Sequence, residues 1–141
     1  MTPEGLAFTH AAAFGGNGWP EADFAQYLDD PNVFLHGTDL SFVVLRRAGP
    51  EAEVLTLASD PSCQGNGLAT RNLERALRIL AHQGVQDIFL EVAEDNIPAL
   101  AIYTRCGFTE ISRRPKYYKN GATAICMKIE LSVASFPDTA T

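Results

Sequence analysis

The chain has 141 residues, of which 46% are hydrophobic and 20% charged, with a formal net charge of −6. That length supports a single domain around one core, and no stretch approaches the roughly 18–20 consecutive apolar residues of a membrane-spanning helix. The acidic balance argues against non-specific nucleic-acid binding, which needs a basic face, and admits a cationic amine or basic peptide as partner.

Leu6, His10 and Ala13, with Ala7, Ala11 and Phe14, recur at helical spacing and predict a short helix over 3–14. Gly15-Gly16-Asn17-Gly18 ends it, and Trp19-Pro20 opens a second helix to about Leu28, with Pro20 expected at the first helical position. After the turn Asp29-Asp30-Pro31-Asn32, strands are expected over 33–36, 40–46 and 52–58, the last two joined by a hairpin turn at 48–51. Residues 66–83 form a strongly amphipathic helix with Ala69, Leu73, Ala76, Leu77 and Leu80 on its apolar face and Gly84 as its stop. A strand over 86–92 follows. A helix over 97–106 comes next, with Asp95 or Asn96 as its cap, Pro98 in its first turn and Gly107 behind it. Residues 108–113 and 123–131 read as a final antiparallel pair.

This order predicts an α/β (α+β) fold in which a mixed, mostly antiparallel sheet carries helices on both sides. The unit from 52 to 92 is then a parallel strand–helix–strand crossover. One domain over 1–131 is expected, with 132–141 a polar, frayed tail. Met1-Thr2-Pro3-Glu4 lacks the flank and apolar run of a secretory signal. Cys63, Cys106 and Cys126 are scattered without metal-ligand spacing, as free thiols of a reducing compartment would be. A cytoplasmic protein with no metal site is therefore expected. His10, His36 and His82 are isolated along the chain and are given no catalytic role.

The segment Gln64-Gly65-Asn66-Gly67-Leu68-Ala69-Thr70 feeds a helix start. A helix N-terminus offers backbone N–H groups without intrahelical partners, and the helix dipole adds about half a positive charge there. Glycines at 65 and 67 let an anion approach the backbone, so the segment reads as a phosphate site. A P-loop would need Gly-Lys-Ser/Thr, which is absent. A dinucleotide fingerprint fails because Thr70 stands where a third glycine is required, although Glu91 lies at about the right distance to imitate a ribose-binding acid. A plain loop-to-helix turn without a ligand is the remaining alternative.

Gln64-x-x-Gly67-x-Ala69 resembles the Gln/Arg-x-x-Gly-x-Gly/Ala pattern of the GCN5-related N-acetyltransferases. A second signature of that family follows: Asn96-x-x-Ala99-x-x-x-Tyr103-x-x-x-Gly107-Phe108. More narrowly, Leu57-Ala58-Ser59-Asp60-Pro61, Phe89-Leu90-Glu91-Val92 and Arg113-Arg114-x-x-Tyr117-Tyr118 look like the RimI-type ribosomal protein alanine N-acetyltransferases. There are two departures. No strand fits before the first helix, and Asn66 stands where the family often has arginine.

The resemblance implies acetyl-CoA as co-substrate, with the amides of the 64–70 loop on its pyrophosphate, Asn96 helping to bind it, and a backbone N–H near Leu57 or Ala58 on the thioester oxygen. It implies Glu91 as general base, directly or through water, and Tyr103 as the acid that protonates the departing sulfur. From the residues alone, a carboxylate near the end of a buried strand is costly unless used or paired, which favours Glu91 as base over a solvated strand-end acid, whereas Tyr103 reads first as a core aromatic. Tyr117 and Tyr118 would border the acceptor, or simply pack. The implied acceptor is the N-terminal alanine of a ribosomal protein. The alternatives are a small-molecule amine or, in a different class, a non-catalytic acyl-CoA-binding domain.

Overall fold

The computed structural model describes residues 1–133, so most of the tail expected over 132–141 lies outside the described residues. The elements are α1 (Pro3–Ala13), α2 (Glu21–Asp29), β1 (Val33–Thr38), β2 (Ser41–Ala48), β3 (Glu51–Ser59), α3 (Leu68–His82), β4 (Asp87–Ala93), α4 (Ile97–Arg105), β5 (Thr109–Arg114) and β6 (Ala124–Glu130). They follow the expected order to within a residue or two at most boundaries. Pro20 differs: its extended backbone makes it the residue before α2, not the first residue in it.

The strands form one sheet in the order β1-β2-β3-β4-β6-β5, antiparallel except for the β3–β4 pair. The mixed sheet with helices on both faces is thus as expected, and no strand precedes α1. Alternation along β2 builds two cores: Val43 and Leu45 face α3, while Phe42 and Val44 face α1 and α2. On the first side, Leu73, Leu77 and Leu80 of α3 are fully buried, each contributing roughly 1.5–3 kcal/mol of transfer free energy. On the second, Leu6 and Phe24 close over Phe42, with the two phenyl rings edge-to-face at 5.7 Å.

Two irregularities position everything that follows. In the β2–β3 ladder Val44 pairs with Thr56 but Leu45 with Val54, so Leu55 is an extra residue in β3. Such a bulge bends its strand and reverses which face the later side chains take. Ala52 and Val54 therefore lie in the α3 core, whereas Ala58 lies in the α1–α2 core. The same segment is where β3 leaves β4. Their parallel ladder runs only from Glu51–Asp87 to Glu53–Phe89, although β3 continues to Ser59 and β4 to Ala93. The sheet opens into a gap there. A second bulge leaves Ile111 unpaired in β5.

Candidate active site

The gap widens into a cleft of about 910 Å³. Its walls are the end of β3, the loop into α3, the start of α4 and the end of α1. Leu57, Ala58, Gln64, Gly65, Asn66, Gly67, Leu68, Ala69, Thr70 and Asn96 all line it. Residues far apart in the chain, drawn from three separate segments, are thus brought to one surface.

The loop presents backbone amides at the start of α3. Gly67 has φ +78°, a left-handed backbone that favours glycine, and serves as the cap of the 15-residue helix α3 without a side-chain bond. Asn66 Oδ1 accepts from the Leu68 N–H at 3.1 Å, while the Ala69 and Thr70 N–H groups find no acceptor among the described residues. Arg71, one turn into α3, reaches back with Nη1 3.3 Å from the Asn66 carbonyl oxygen, and Arg105, at the end of α4, lines the cleft. Open amides, a helix N-terminus and two guanidinium groups suit a phosphate-bearing ligand.

A chain of buried polar groups secures this loop to the core. Asn72 Nδ2 donates to Ser41 O and Ser41 Oγ, each at 3.1 Å, and Ser41 Oγ lies 2.8 Å from Ser59 Oγ. Gln64 Nε2 in turn donates to the Ser59 carbonyl at 3.2 Å. Gln64 thus ties the loop to the end of β3. At the other motif, Asn96 caps α4 by accepting from the Ala99 N–H at 3.3 Å, and it lines the cleft as well.

The other sequence-selected residues lie beyond the cleft wall. Tyr103 is buried in the α3–α4 core, edge-to-face with Phe108 at 5.8 Å. Burial pushes its phenol far above the ordinary tyrosine range, helped by Cys106 and Tyr118, so it stays protonated. Glu91 lies on the other side of the sheet, because Leu90 and Val92 take the α3 face of β4. Its Oε1 is 3.5 Å from Arg114 Nη1 and accepts a long contact, 3.8 Å, from the Cys126 thiol. Tyr118 is half-buried, and its hydroxyl is pushed up first by burial, then by the Glu91 charge and by Tyr117. Tyr117 is exposed and edge-to-face with Tyr118 at 5.2 Å. Glu91 and Tyr103 thus flank the split sheet from opposite faces, with Tyr118 electrostatically linked to both.

Residues 15–108 match the family model described as the acetyltransferase (GNAT) family. The chain belongs to the GNAT acetyltransferases. Over 124 residues it is 37% identical to the N-alpha-acetyltransferase RimI of Mycobacterium tuberculosis, a match covering 81% of this chain and 77% of that one. Over 105 residues it is 32% identical to the ribosomal protein bS18-alanine N-acetyltransferase of Escherichia coli, covering 71% and 70% of the two chains. Its fold matches the crystal structure of the ribosomal-protein-S18-alanine N-acetyltransferase from Escherichia coli with a TM-score of 0.82 at 27% identity, over 92% and 88% of the chains. The protein is an acetyl-CoA-dependent N-acetyltransferase of the RimI-like kind.

Several features of this acetyltransferase were not legible in its motifs. His10, isolated along the chain, is the centre of a buried cluster. Its Nδ1 accepts from the Trp19 N–H at 2.9 Å, so Nε2 carries the proton and donates to Thr56 Oγ1, also at 2.9 Å. Phe14, Trp19 and Phe24 surround the ring at 4.6–5.5 Å, and desolvation lowers its pKa to about 4. Arg71 and Arg105 carried one weak signal, a basic residue within a turn of each motif. Ala13 and Phe14 carried none as cleft residues, because only the tertiary fold brings α1 beside β3. Among the described residues no cluster of His, Cys, Asp and Glu could hold a metal ion, and no helix is long and apolar enough to cross a membrane.

Proposed function

We propose that this GNAT enzyme acetylates the α-amino group of a protein N-terminus in the cytoplasm, with the terminal alanine of a ribosomal protein as acceptor. The observation that carries the reading is the split sheet with a carboxylate, Glu91, on one face and a protonated phenol, Tyr103, on the other. The names of the relatives from Mycobacterium tuberculosis and Escherichia coli support the acceptor class.

Acetyl-CoA supplies the activated acetyl thioester. The 64–70 loop amides, with Arg71 and Arg105, bind its phosphates. Asn96 helps hold it, and a β3 amide near Leu57 or Ala58 donates to the carbonyl oxygen as negative charge develops there. Glu91 accepts the proton that the acceptor ammonium loses, directly or through water, the neutral nitrogen attacks, and its second proton passes to solvent as the tetrahedral adduct collapses to the amide. Tyr103 donates its proton to the sulfur as the carbon–sulfur bond breaks and is reprotonated from solvent. Tyr117 and Tyr118 border the acceptor. An α-amine, with a reference pKa of about 7.7–8.0, needs less help from the base than a lysine near 10.4.

The test is a panel of short peptides with free N-termini set against small amines, read by thiol release and mass spectrometry. Peptides beginning with alanine should react fastest, with the acetyl group on the α-nitrogen. Modification of lysine side chains, or faster reaction of a small amine, would overturn the acceptor assignment.

A further inference from the structure

Glu91 already has a cation against it. Arg114 Nη1 lies 3.5 Å from Glu91 Oε1, and the same guanidinium stands over the Tyr117 ring, with Cζ 5.5 Å from the ring centre. The bulge at Ile111 is what brings it there. Ser112 pairs with Cys126, which pairs with Glu91, so Arg114, two residues on, shares their face. Arg113 takes the opposite face and is bound differently: its Nε and Nη2 each lie 2.9 Å from a Glu110 carboxylate oxygen, and Nη1 is 3.9 Å from Glu94. Lys128, further along β6, is shared between Asp87 and Glu130. Lys128 also stands over an aromatic ring, that of Phe89 at 5.7 Å, but it is held by two carboxylates, whereas Arg114 touches a single carboxylate through one loose contact and has the Tyr117 face as its second resting place.

We propose that Arg114 is a displaceable stand-in for the acceptor's ammonium group, holding Glu91 while the acceptor site is empty and yielding it when a cationic amine arrives. The inference rests on the reading that Glu91 faces the acceptor. Both partners are partly exposed, with side chains 32% and 59% accessible, and pairs of this kind are weak enough to exchange. Tyr117 can keep the guanidinium by cation–π attraction after the carboxylate is lost. Arg114 is on this account a specificity-determining residue that sets how strongly a cation must bind to gain Glu91. The groups facing Glu91 are Arg114 of β5, Cys126 of β6 and Tyr118 of the intervening loop. Arg114 is the cation among them.

The experiment is calorimetric titration of a peptide with N-terminal alanine into the full chain saturated with CoA, near pH 7. Arg114→Gln should lower the peptide Kd about two- to fivefold, the scale of an exposed ion pair. The same substitution made in a Glu91→Gln background should change nothing. A weaker Kd in Arg114→Gln, an unchanged Kd, or a gain that persists without Glu91 would each overturn the proposal. If Glu91→Gln itself leaves the pH profile of turnover intact, the assignment of Glu91 as base fails. The binding coupling between positions 91 and 114 still decides the role of Arg114.

Discussion

His10 Nε2 and Thr56 Oγ1 meet at 2.9 Å in the core, joining α1 to β3 just where the bulged strand turns toward the cleft. The bond exists because Leu55 is an extra residue, which puts Thr56 on the α1 face. One turn beyond His10, Ala13 and Phe14 line the cleft, as does Leu57, the neighbour of Thr56.

This buried histidine gives a pH dependence of stability with a definite sign. Its folded-state pKa, about 4, lies below the unfolded value near 6.5. Above the unfolded value the ring is neutral in both states. As pH falls from there toward 4, the unfolded chain binds a proton that the folded one refuses, so stability is lost. Urea unfolding at about pH 7.5 and 4.5 should show a loss of roughly 2–3 kcal/mol from this group. His10→Gln, which cannot titrate, should be less stable at the higher pH but lack that part of the acid loss. An identical acid loss in both proteins would mean that His10 is not held neutral.

Gly67 tests the anion loop. Its φ of +78° strains any residue with a Cβ, and a Cβ there would stand 3.4 Å from Arg71 Nη1. Gly67→Val should cost about 1–3 kcal/mol without ligand, from backbone strain. The second effect appears only with ligand. Acetyl-CoA should stabilise the wild type by about 2.7 kcal/mol at a hundred times its Kd, and the variant at the same concentration by much less. Unfolding curves with and without acetyl-CoA separate the two effects. Equal stabilisation of both proteins would exclude the loop amides from the binding site.

Tyr103 and Glu91 separate by pH. Tyr103→Phe keeps the packing against Phe108 and removes the proton donor, so turnover should fall about 10²–10⁴-fold with coenzyme binding nearly intact. The buried phenol remains protonated well above its ordinary range, so this defect should stay flat across about pH 6 to 9.5. The Glu91→Gln defect should shrink over the same range, because solvent deprotonates more of the acceptor α-amine as pH rises. Near-wild-type turnover in Tyr103→Phe would make the tyrosine packing alone. A flat Glu91→Gln defect would make Glu91 a positioning group.

The element order, the strand–helix–strand unit and the glycine-bearing turn into α3 were all legible in the sequence. They depend on local causes: the apolar stripe of α3, the left-handed glycines at 67, 84 and 107 that begin or end helices, and the alternation along β2. The GNAT assignment followed from two motifs whose spacing survives without the fold.

What the tertiary structure decided comes down to register. A one-residue bulge leaves almost no trace in sequence, because Leu55 and Ile111 are ordinary strand residues, yet each reverses the facing of every residue beyond it. The first bulge turns Thr56 toward His10 and accompanies the parting of β3 from β4 that forms the cleft. The second selects Arg114 over Arg113 as the cation beside Glu91. Sequence alone determined which residues are available for the chemistry. Their side of the sheet and their partners were set by backbone pairing between segments distant in the chain, which local periodicity does not encode.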